Sequence, residues 1–206
     1  MAAKTVIRPA AEADIPAILA LYRQLDSALV AMQPEFFCEG PREEDEIRKA
    51  IRADDADFLL AERGGAVVGF ALVGYAGWTP EFSCVLPHRY ARLEDLAVDE
   101  AVRGQGVGGE LLAAAKRWAR NRRLEYLELN VLAQNENAIR LYESQDLFAF
   151  SLFLLVLAEV LRVLKGRDGG YVERHVVRDA LRVVLNAVYV EFVVGFADRK
   201  DRNAVL

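Results

Sequence analysis

Apolar positions in the first 147 residues recur with two periods, every second residue in some segments and every third or fourth in others. The short period predicts strands, and the longer one predicts amphipathic helices. Strands are therefore predicted at 5–8, 57–63, 66–77, 89–98 and 125–132, and helices at 10–32, 41–53, 108–122 and 135–145. The Gly64-Gly65 pair predicts a hairpin turn between the second and third strands. This order of helices and strands predicts an α/β fold.

The pattern changes after Asp146. Residues 147–158 are apolar apart from Ser151, and Glu159 then interrupts the run. Because the run is too short to span a membrane, it predicts a buried strand or a core helix. An apolar face recurs over 172–194 and predicts an amphipathic helix. Such apolar segments need a partner, so we expect residues 148–206 to form a closing strand and a helical extension that contributes to a homodimer.

The composition is that of a globular protein, with 53% apolar and 28% charged residues. A net charge of −5 argues against a nucleic-acid-binding protein. The first 147 residues hold 17 Lys/Arg and 24 Asp/Glu, a balance that suits a cationic substrate.

Cys38 and Cys84 form no metal-binding pattern, and the first residues lack the apolar core of a signal peptide. We expect a cytoplasmic protein with no metal and no membrane association.

Four glycines occur between Gly104 and Gly109, directly before a predicted helix. The first turn of a helix has N–H groups without intrahelical partners, and glycines let a ligand approach them, so this loop predicts a phosphate site. The spacing also matches the dinucleotide-binding pattern GxGxxG, with Glu128 about 20 residues further on. In that fold the strand runs almost directly into the first glycine, whereas here 99–103 intervene. A Walker-type loop is excluded because no Lys-Ser/Thr pair follows.

Arg103, Gly106 and Gly108 also form the pattern R-x-x-G-x-G, which is followed after the next predicted strand by N-x-x-A-x-x-x-Y at Asn135 and Tyr142. Together and in this order, the two patterns resemble the GNAT superfamily of N-acetyltransferases over residues 4–147. The resemblance implies a mixed, mostly antiparallel sheet flanked by helices and an acetyl-CoA-binding domain at 1–147. One departure is that Gln145-Asp146-Leu147-Phe148 stands where the family commonly has a Gly-Phe pair.

The resemblance also implies site residues. Acetyl-CoA, as co-substrate, would contact the end of the fourth strand, the glycine loop and the start of the last helix of the motif. These residues are Leu96, Ala97, Val98, Arg103, Gly104, Gln105, Gly106, Val107, Gly108 and Asn135. Asn135 also suits a plain helix cap. Tyr142 would be the general acid that protonates the leaving thiolate, although a helical tyrosine also suits core packing.

The attacking amine must lose a proton, so a carboxylate near the thioester is expected. Glu94 and Asp95 precede the end of the fourth strand, and alternation along a strand would point them to opposite faces. LEDLAV resembles the equivalent strand of diamine acetyltransferases, in which the glutamate of this pair is the suggested base. We expect Glu94 to act through water, with Asp95 and Glu128 as the alternatives. His88, beside Pro87, is expected to pack in a loop.

The sequence thus predicts transfer of an acetyl group from acetyl-CoA to a primary amine, on a small molecule or a peptide, in a ternary complex. Two alternatives remain open. One is a catalytically inactive acyl-CoA-binding or interaction protein with the same fold. The other is an NAD-dependent oxidoreductase that uses the GxGxxG match at 104–109.

Overall fold

The structure is a computed structural model, and it describes residues 4–78, 87–150 and 189–195. The chain divides into two compact units, one made of Met1–Leu129 with Val193–Leu206 and the other of Asn130–Phe192. The predicted boundary between a domain at 1–147 and an extension at 148–206 stays a prediction.

The first unit contains strands, α-helices and two short 3₁₀ helices. The strands are β1 (Val6–Pro9), β2 (Ala56–Arg63), β3 (Ala66–Trp78), β4 (His88–Val98) and β5 (Tyr126–Leu132, of which the last three residues belong to the second unit). The α-helices are α1 (Ile15–Met32), α2 (Glu44–Arg52) and α3 (Val107–Asn121), and the 3₁₀ helices are Glu12–Asp14 and Glu100–Val102. Every predicted element of this unit is present, with ends shifted by a few residues.

The sheet of the first unit has the strand order β1-β2-β3-β4-β5. Strands β1 to β4 are antiparallel to one another, whereas β4 and β5 are parallel. Gly64 and Gly65 connect β2 to β3 with φ angles of +58° and +82°, a left-handed pair that L side chains rarely adopt. The mixed, mostly antiparallel sheet is confirmed.

Helices cover both faces of this sheet. On one face, α1 and α2 pack on β2, β3 and β4 around a core of residues that are nearly inaccessible to solvent. These residues are Ile15, Ile18, Leu21, Tyr22, Ile47, Phe58, Leu60, Phe70 and Ala97. The ring of Tyr22 lies 4.6 Å from that of Phe70, between centroids, so α1 is anchored to the middle of the sheet by an aromatic contact.

Helix α3 packs on the opposite face of the sheet. Gly69 makes this contact possible, because a Cβ there would lie 2.8 Å from the Ala97 carbonyl oxygen and 3.2 Å from Leu111. A backbone oxygen cannot move aside, so a larger residue at 69 would push β3, β4 and α3 apart. The start of α3 is therefore held close to the end of β4.

The second unit contains the end of β5, helix α4 (Glu136–Glu143) and strand β6 (Phe148–Phe150), and β7 (Tyr189–Gly195) begins in it. The start of the predicted closing strand is thus present. The predicted helix over 172–194 is wrong at its end, since Tyr189–Gly195 is a strand. Valines and aromatic residues dominate this segment and favour extended backbone. The rest of the predicted extension lies outside the described residues.

Helix α3 ends in a left-handed residue that is not glycine. Arg123 has φ +54°, its N–H donates to the Arg120 carbonyl at 2.9 Å, and the Leu124 N–H donates to the Ala119 carbonyl at 3.1 Å. This pair of bonds is a Schellman motif, which satisfies carbonyls at the helix end and usually has glycine at the left-handed position. Leu124 is buried and anchors the turn.

Helix α4 ends in the same way. Asp146 has φ +58°, its N–H donates to the Glu143 carbonyl at 3.2 Å, and the Leu147 N–H donates to the Tyr142 carbonyl at 3.1 Å. Asp146 therefore occupies the left-handed position that the family's glycine would fill. The departure from the family's Gly-Phe pair preserves the turn, at the cost of backbone strain.

One described segment, Glu12–Met32, is long and apolar enough to cross a membrane. Length and composition alone are weak evidence, because the core helix of a soluble protein passes the same test. The apolar side chains of α1 that face the sheet are part of the core described above.

We predict that Arg123→Gly stabilises the protein. Glycine adopts the left-handed conformation without strain, which stabilises the folded state. This stabilisation should exceed the opposing effect of the larger conformational entropy of the unfolded chain, so the free energy of unfolding should rise by about 0.5–1 kcal/mol. Urea denaturation checks the result. Arg123→Ala is the matched control, since it removes the guanidinium but keeps the strain. If both variants gain equally, the side chain and not the backbone is the cause.

Candidate active site

The site predicted from sequence lies where β4 ends. β4 pairs with β5 at three positions, Ala91 with Leu127, Arg92 with Glu128 and Leu93 with Leu129, although β4 continues to Val98. On its other side β4 stays paired with β3 as far as Val98. Within the described residues, the last five positions of β4 therefore have a strand partner on one side only, and the other edge can pair with an extended ligand.

A β-bulge interrupts β4 just after this pairing ends. Val73 faces Leu93 and Leu72 faces Asp95, so Glu94 is the extra residue of β4. Side chains do not alternate strictly across a bulge. The expectation that Glu94 and Asp95 point to opposite faces rested on this alternation, so the bulge removes its basis and it stays a prediction.

Neighbouring side chains distinguish the three candidate carboxylates. Asp95 accepts a hydrogen bond of 2.8 Å from the Tyr22 hydroxyl of α1. The Glu128 side chain is 9% exposed, and its Oε1 accepts from Nε and Nη2 of Arg92, the residue directly across the β4–β5 ladder. Glu94 has no hydrogen bond or ion pair within the described part of the chain, and it is exposed.

The surroundings of Glu94 change its proton affinity. Desolvation raises the pKa of the Glu94 carboxyl, the Arg92 guanidinium lowers it, and the negative charges of Asp95 and Glu128 raise it further, with a net increase. A raised pKa makes a carboxylate a better proton acceptor once it is ionised. Desolvation, with the Asp95 charge adding to it, also raises the pKa of the Tyr22 hydroxyl, so Tyr22 stays a hydrogen-bond donor.

The glycine loop lies a few residues after the end of β4. The 3₁₀ helix Glu100–Val102 leads into it, and Nε of Arg103 donates to the Val98 carbonyl at 3.0 Å, which ties the loop to the end of β4. Gly104 and Gly106 have φ angles of +74° and +84°, and a Cβ on either would meet nothing within 4 Å. These glycines are thus required by their backbone conformation, and the space beside them is open.

Helix α3 begins at Val107, immediately after the left-handed Gly106. The N–H groups of its first turn, including those of Val107 and Gly108, have no intrahelical partner and carry the positive end of the helix dipole. Open space in front of such groups suits an anion, and the pyrophosphate of acetyl-CoA fits the requirement.

One further residue at the loop could not be identified from sequence. Nη1 of Arg63, the last residue of β2, donates to Gln105 Oε1 at 2.8 Å and Nη2 donates to the Gln105 carbonyl at 3.0 Å. Arg63 and Gln105 are 42 positions apart, and no local pattern links them. Only the order of the strands brings the end of β2 to this loop.

A cavity of about 620 Å³ lies between α1, the following loop and the start of α2. Its lining includes Tyr22, Asp26 and Arg42. The Arg42 guanidinium stacks 4.1 Å above the Tyr22 ring centroid and binds both Asp26 oxygens, at 2.7 and 3.2 Å. Because Tyr22 also donates to Asp95, the cavity wall is connected by hydrogen bonding to the bulge of β4.

Asn135 and Tyr142 belong to the second unit. Asn135 lies outside α4, and its side-chain oxygen accepts from the Ala138 N–H at 3.1 Å, so the predicted capping role is confirmed. Tyr142 is buried in the last turn of α4. The predicted roles of these two residues towards acetyl-CoA stay predictions.

The geometry favours the acetyltransferase interpretation of the loop over the dinucleotide one. In the dinucleotide fold the strand leads straight into the first glycine and belongs to a parallel sheet. Here a 3₁₀ helix intervenes, and β4 is antiparallel to β3. The mixed sheet, the end of β4 with a strand partner on one side only among the described residues, and the glycine loop at a helix start are features that fit the resemblance to N-acetyltransferases.

Comparison with known proteins agrees. A model of the acetyltransferase (GNAT) family matches residues 23–146. A mycothiol acetyltransferase from Acidothermus cellulolyticus is 34% identical over 131 residues, which cover 58% of this chain and 40% of that protein. A streptothricin acetyltransferase from Streptomyces lavendulae is 30% identical over 125 residues, which cover 61% of this chain and 59% of that protein.

Solved structures share the fold. An aminoglycoside N-acetyltransferase in complex with CoA superposes with a TM-score of 0.55 at 18% identity, over 71% of this chain and 89% of that one. The chain belongs to the GNAT acetyltransferase family. It spans about half the length of the curated relatives that it matches.

Proposed function

We propose that this chain transfers the acetyl group of acetyl-CoA to the primary amine of a small molecule. The observation that carries the proposal is the glycine loop, in which two left-handed glycines and the first turn of α3 leave open space at the one-sided end of β4. The CoA bound by a structural neighbour, and the small-molecule substrates in the names of relatives, support it.

The loop residues would bind the pyrophosphate, since the N–H groups of Gly104 to Gly108 and the first-turn dipole favour an anion. The cationic side chain of Arg103 would add to this attraction. The free edge of Leu96 to Val98 would pair with the amide groups of the pantetheine arm. This pairing would place the thioester near the bulge of β4.

Proton transfer would use Glu94 and Tyr142. The Glu94 carboxylate would remove a proton from the acceptor ammonium through water, and the neutral nitrogen would attack the thioester carbon. A C–N bond forms and the C–S bond breaks, and the acylated nitrogen releases its second proton to solvent, which yields an amide and a thiolate. Tyr142 would give its proton to that thiolate, as the family motif implies. Glu94 suits its role better than Asp95 and Glu128, whose carboxylates already bind Tyr22 and Arg92.

The acceptor would occupy the cavity beside Tyr22. Asp26 and Glu39 contribute carboxylates to its wall, and Arg23 and Arg42 contribute guanidinium groups. Such a lining suits a polar amine rather than an apolar one. A cationic amine would also be attracted by the acidic balance of the first 147 residues.

We predict that Gly108→Asp abolishes acetyl-CoA binding without unfolding the protein. A carboxylate at a helix start is compatible with the helix but repels a pyrophosphate there. Titration calorimetry measures the affinity, and circular dichroism checks the fold. Gly108→Asn is the matched control, because it has the same shape without the charge and should bind more tightly than Gly108→Asp. Retained affinity in a folded Gly108→Asp would contradict this placement of the pyrophosphate.

We predict that Glu94→Gln lowers kcat/KM at neutral pH by about a hundredfold or more, as loss of a general base requires. The base must be ionised, so wild-type kcat/KM should fall as the pH drops through the raised Glu94 pKa. This acidic limb should be absent in Glu94→Gln. If Asp95→Asn or Glu128→Gln removes the limb instead, that carboxylate is the base.

We predict that Tyr142→Phe lowers kcat by about tenfold or more while the acetyl-CoA affinity holds, because only the donated proton is lost. Steady-state kinetics and calorimetry measure the two quantities. An unchanged kcat would leave Tyr142 as a packing residue. Acetyl-CoA binding without turnover of any amine would instead favour the catalytically inactive alternative.

The homodimer, the cytoplasmic location and the absence of membrane association stay predictions. The dimer prediction rests on the apolar segments 148–164 and 172–194, most of which lies outside the described residues.

A further inference from the structure

We propose that Arg63 is a positioning residue that holds the glycine loop in the conformation that binds the pyrophosphate. The inference rests on the proposed function for the identity of the ligand. It concerns a side chain from β2 that belongs to neither of the two sequence motifs.

The contacts of Arg63 join three separate parts of the first unit. Besides its two bonds to Gln105, Nε donates to Thr5 Oγ1 at 2.8 Å. The Thr5 hydroxyl in turn donates to Oε1 of Glu110 in the first turn of α3, at 3.1 Å. Glu110 Oε1 also lies 4.0 Å from Arg63 Nη2. One guanidinium thus connects the residue before β1, the glycine loop and the start of α3.

The position of Gln105 between the two left-handed glycines explains why this connection matters. A peptide unit is planar and trans, so the carbonyl of Gln105 and the N–H of Gly106 point in opposite directions. When Arg63 binds the carbonyl on the β2 side, the Gly106 N–H is turned the other way. Arg63 thereby orients a donor of the loop without touching the ligand.

The loop has few other restraints. Glycine is the least restricted residue, and the space beside Gly104 and Gly106 is open. Within the described part of the chain, the other side-chain hydrogen bonds of the loop are to its own flanking backbone, from Arg103 to Val98 and from Gln105 Nε2 to the Ala101 carbonyl at 3.5 Å. Among the described residues, Arg63 supplies the side-chain hydrogen bonds that reach the loop from another strand.

Arg63 is placed to support the loop rather than to bind the phosphate itself. Its side chain is 12% exposed, and its Nε, Nη1 and Nη2 atoms all donate within the protein. Its planar fork matches the two oxygens of Gln105, which a lysine ammonium cannot engage in the same geometry. Loss of Arg63 should therefore weaken binding of acetyl-CoA and leave the chemical step intact.

The test uses Arg63→Met in the full chain. We expect the acetyl-CoA dissociation constant, measured by calorimetry, to rise about tenfold, because loop ordering must then accompany binding. The KM for acetyl-CoA should rise with it, and kcat at saturation should stay within about twofold of wild type. Hydrogen exchange of the 105–109 amides should accelerate in the ligand-free protein.

Two variants separate positioning from charge and from general stability. Arg63→Lys keeps the charge without the fork, so its affinity should fall partway; wild-type affinity in Arg63→Lys would overturn the proposal. This variant also replaces Arg63→Met if the latter does not fold. Arg8→Met is the matched control, since Arg8 is also a paired arginine near this sheet edge, bound to Asp14 and Glu62, and among the described residues it has no hydrogen bond or ion pair with the loop. Its acetyl-CoA affinity should be unchanged.

The outcomes distinguish the two proposals. If wild-type protein binds acetyl-CoA and Arg63→Met binds it equally well, the positioning role is wrong and the proposed function stands. If wild-type protein does not bind acetyl-CoA, the proposed function fails, and the exchange rates of the 105–109 amides still decide whether Arg63 orders the loop. Unchanged exchange rates would overturn the inference in either case.

Discussion

The brief pairing of β4 with β5 is the constraint on which the candidate site depends. The ladder ends at Leu93 and Leu129, whereas the β3 ladder continues to Val98. Backbone polar groups need partners, and the one-sided end of β4 offers them to an extended ligand. The bulge at Glu94 occurs at this transition, and the glycine loop follows β4 after the 3₁₀ helix Glu100–Val102. A longer ladder would close the edge that the proposed pantetheine contact requires.

The cost of burying charge explains why the three carboxylates near this edge differ in their hydrogen-bond partners. Glu128 is almost completely buried, and an unpaired carboxylate there would be strongly unfavourable, so Arg92 must accompany it. Asp95 is satisfied by the Tyr22 hydroxyl, whose ring belongs to the core between α1 and the sheet. Glu94 alone of the three faces solvent within the described structure, without a hydrogen-bond partner. Structural demands on two carboxylates thus leave the third available for the proposed proton transfer.

In the glycine loop, different residues provide the backbone conformation and the contacts that restrain it. Its glycines supply the left-handed conformation, which no other residue adopts without strain. Conformational freedom alone would leave the loop variable, and the Arg63 contacts to Gln105 restrict it. At the ends of α3 and α4, by contrast, the left-handed residues are Arg123 and Asp146 and not glycines. A buried leucine follows each of them and stabilises the turn. Glycine occupies the left-handed positions of the loop that the proposed ligand would approach.

The sequence by itself determined the features that depend on neighbours within a few residues. Hydrophobic periods predicted the elements of the first unit, the Gly64-Gly65 pair predicted the hairpin, and the oxygen of Asn135 predicted a helix cap, because each depends on local backbone geometry. Motif spacing likewise identified the loop at Gly104 and Gly106.

Tertiary structure decided the rest. The bulge at Glu94 depends on the register of β4 against β3. The different partners of the three carboxylates depend on contacts between elements, because Tyr22 of α1 reaches Asp95 of β4 and Arg92 of β4 reaches Glu128 of β5. Tyr189–Gly195 forms a strand, although its apolar positions continue the helical period of the preceding residues. Its valines also favour extended backbone, so the local pattern suited both structures. Hydrogen bonds and ion pairs between residues tens of positions apart arise only when the sheet order sets their distance, and no local pattern encodes that distance.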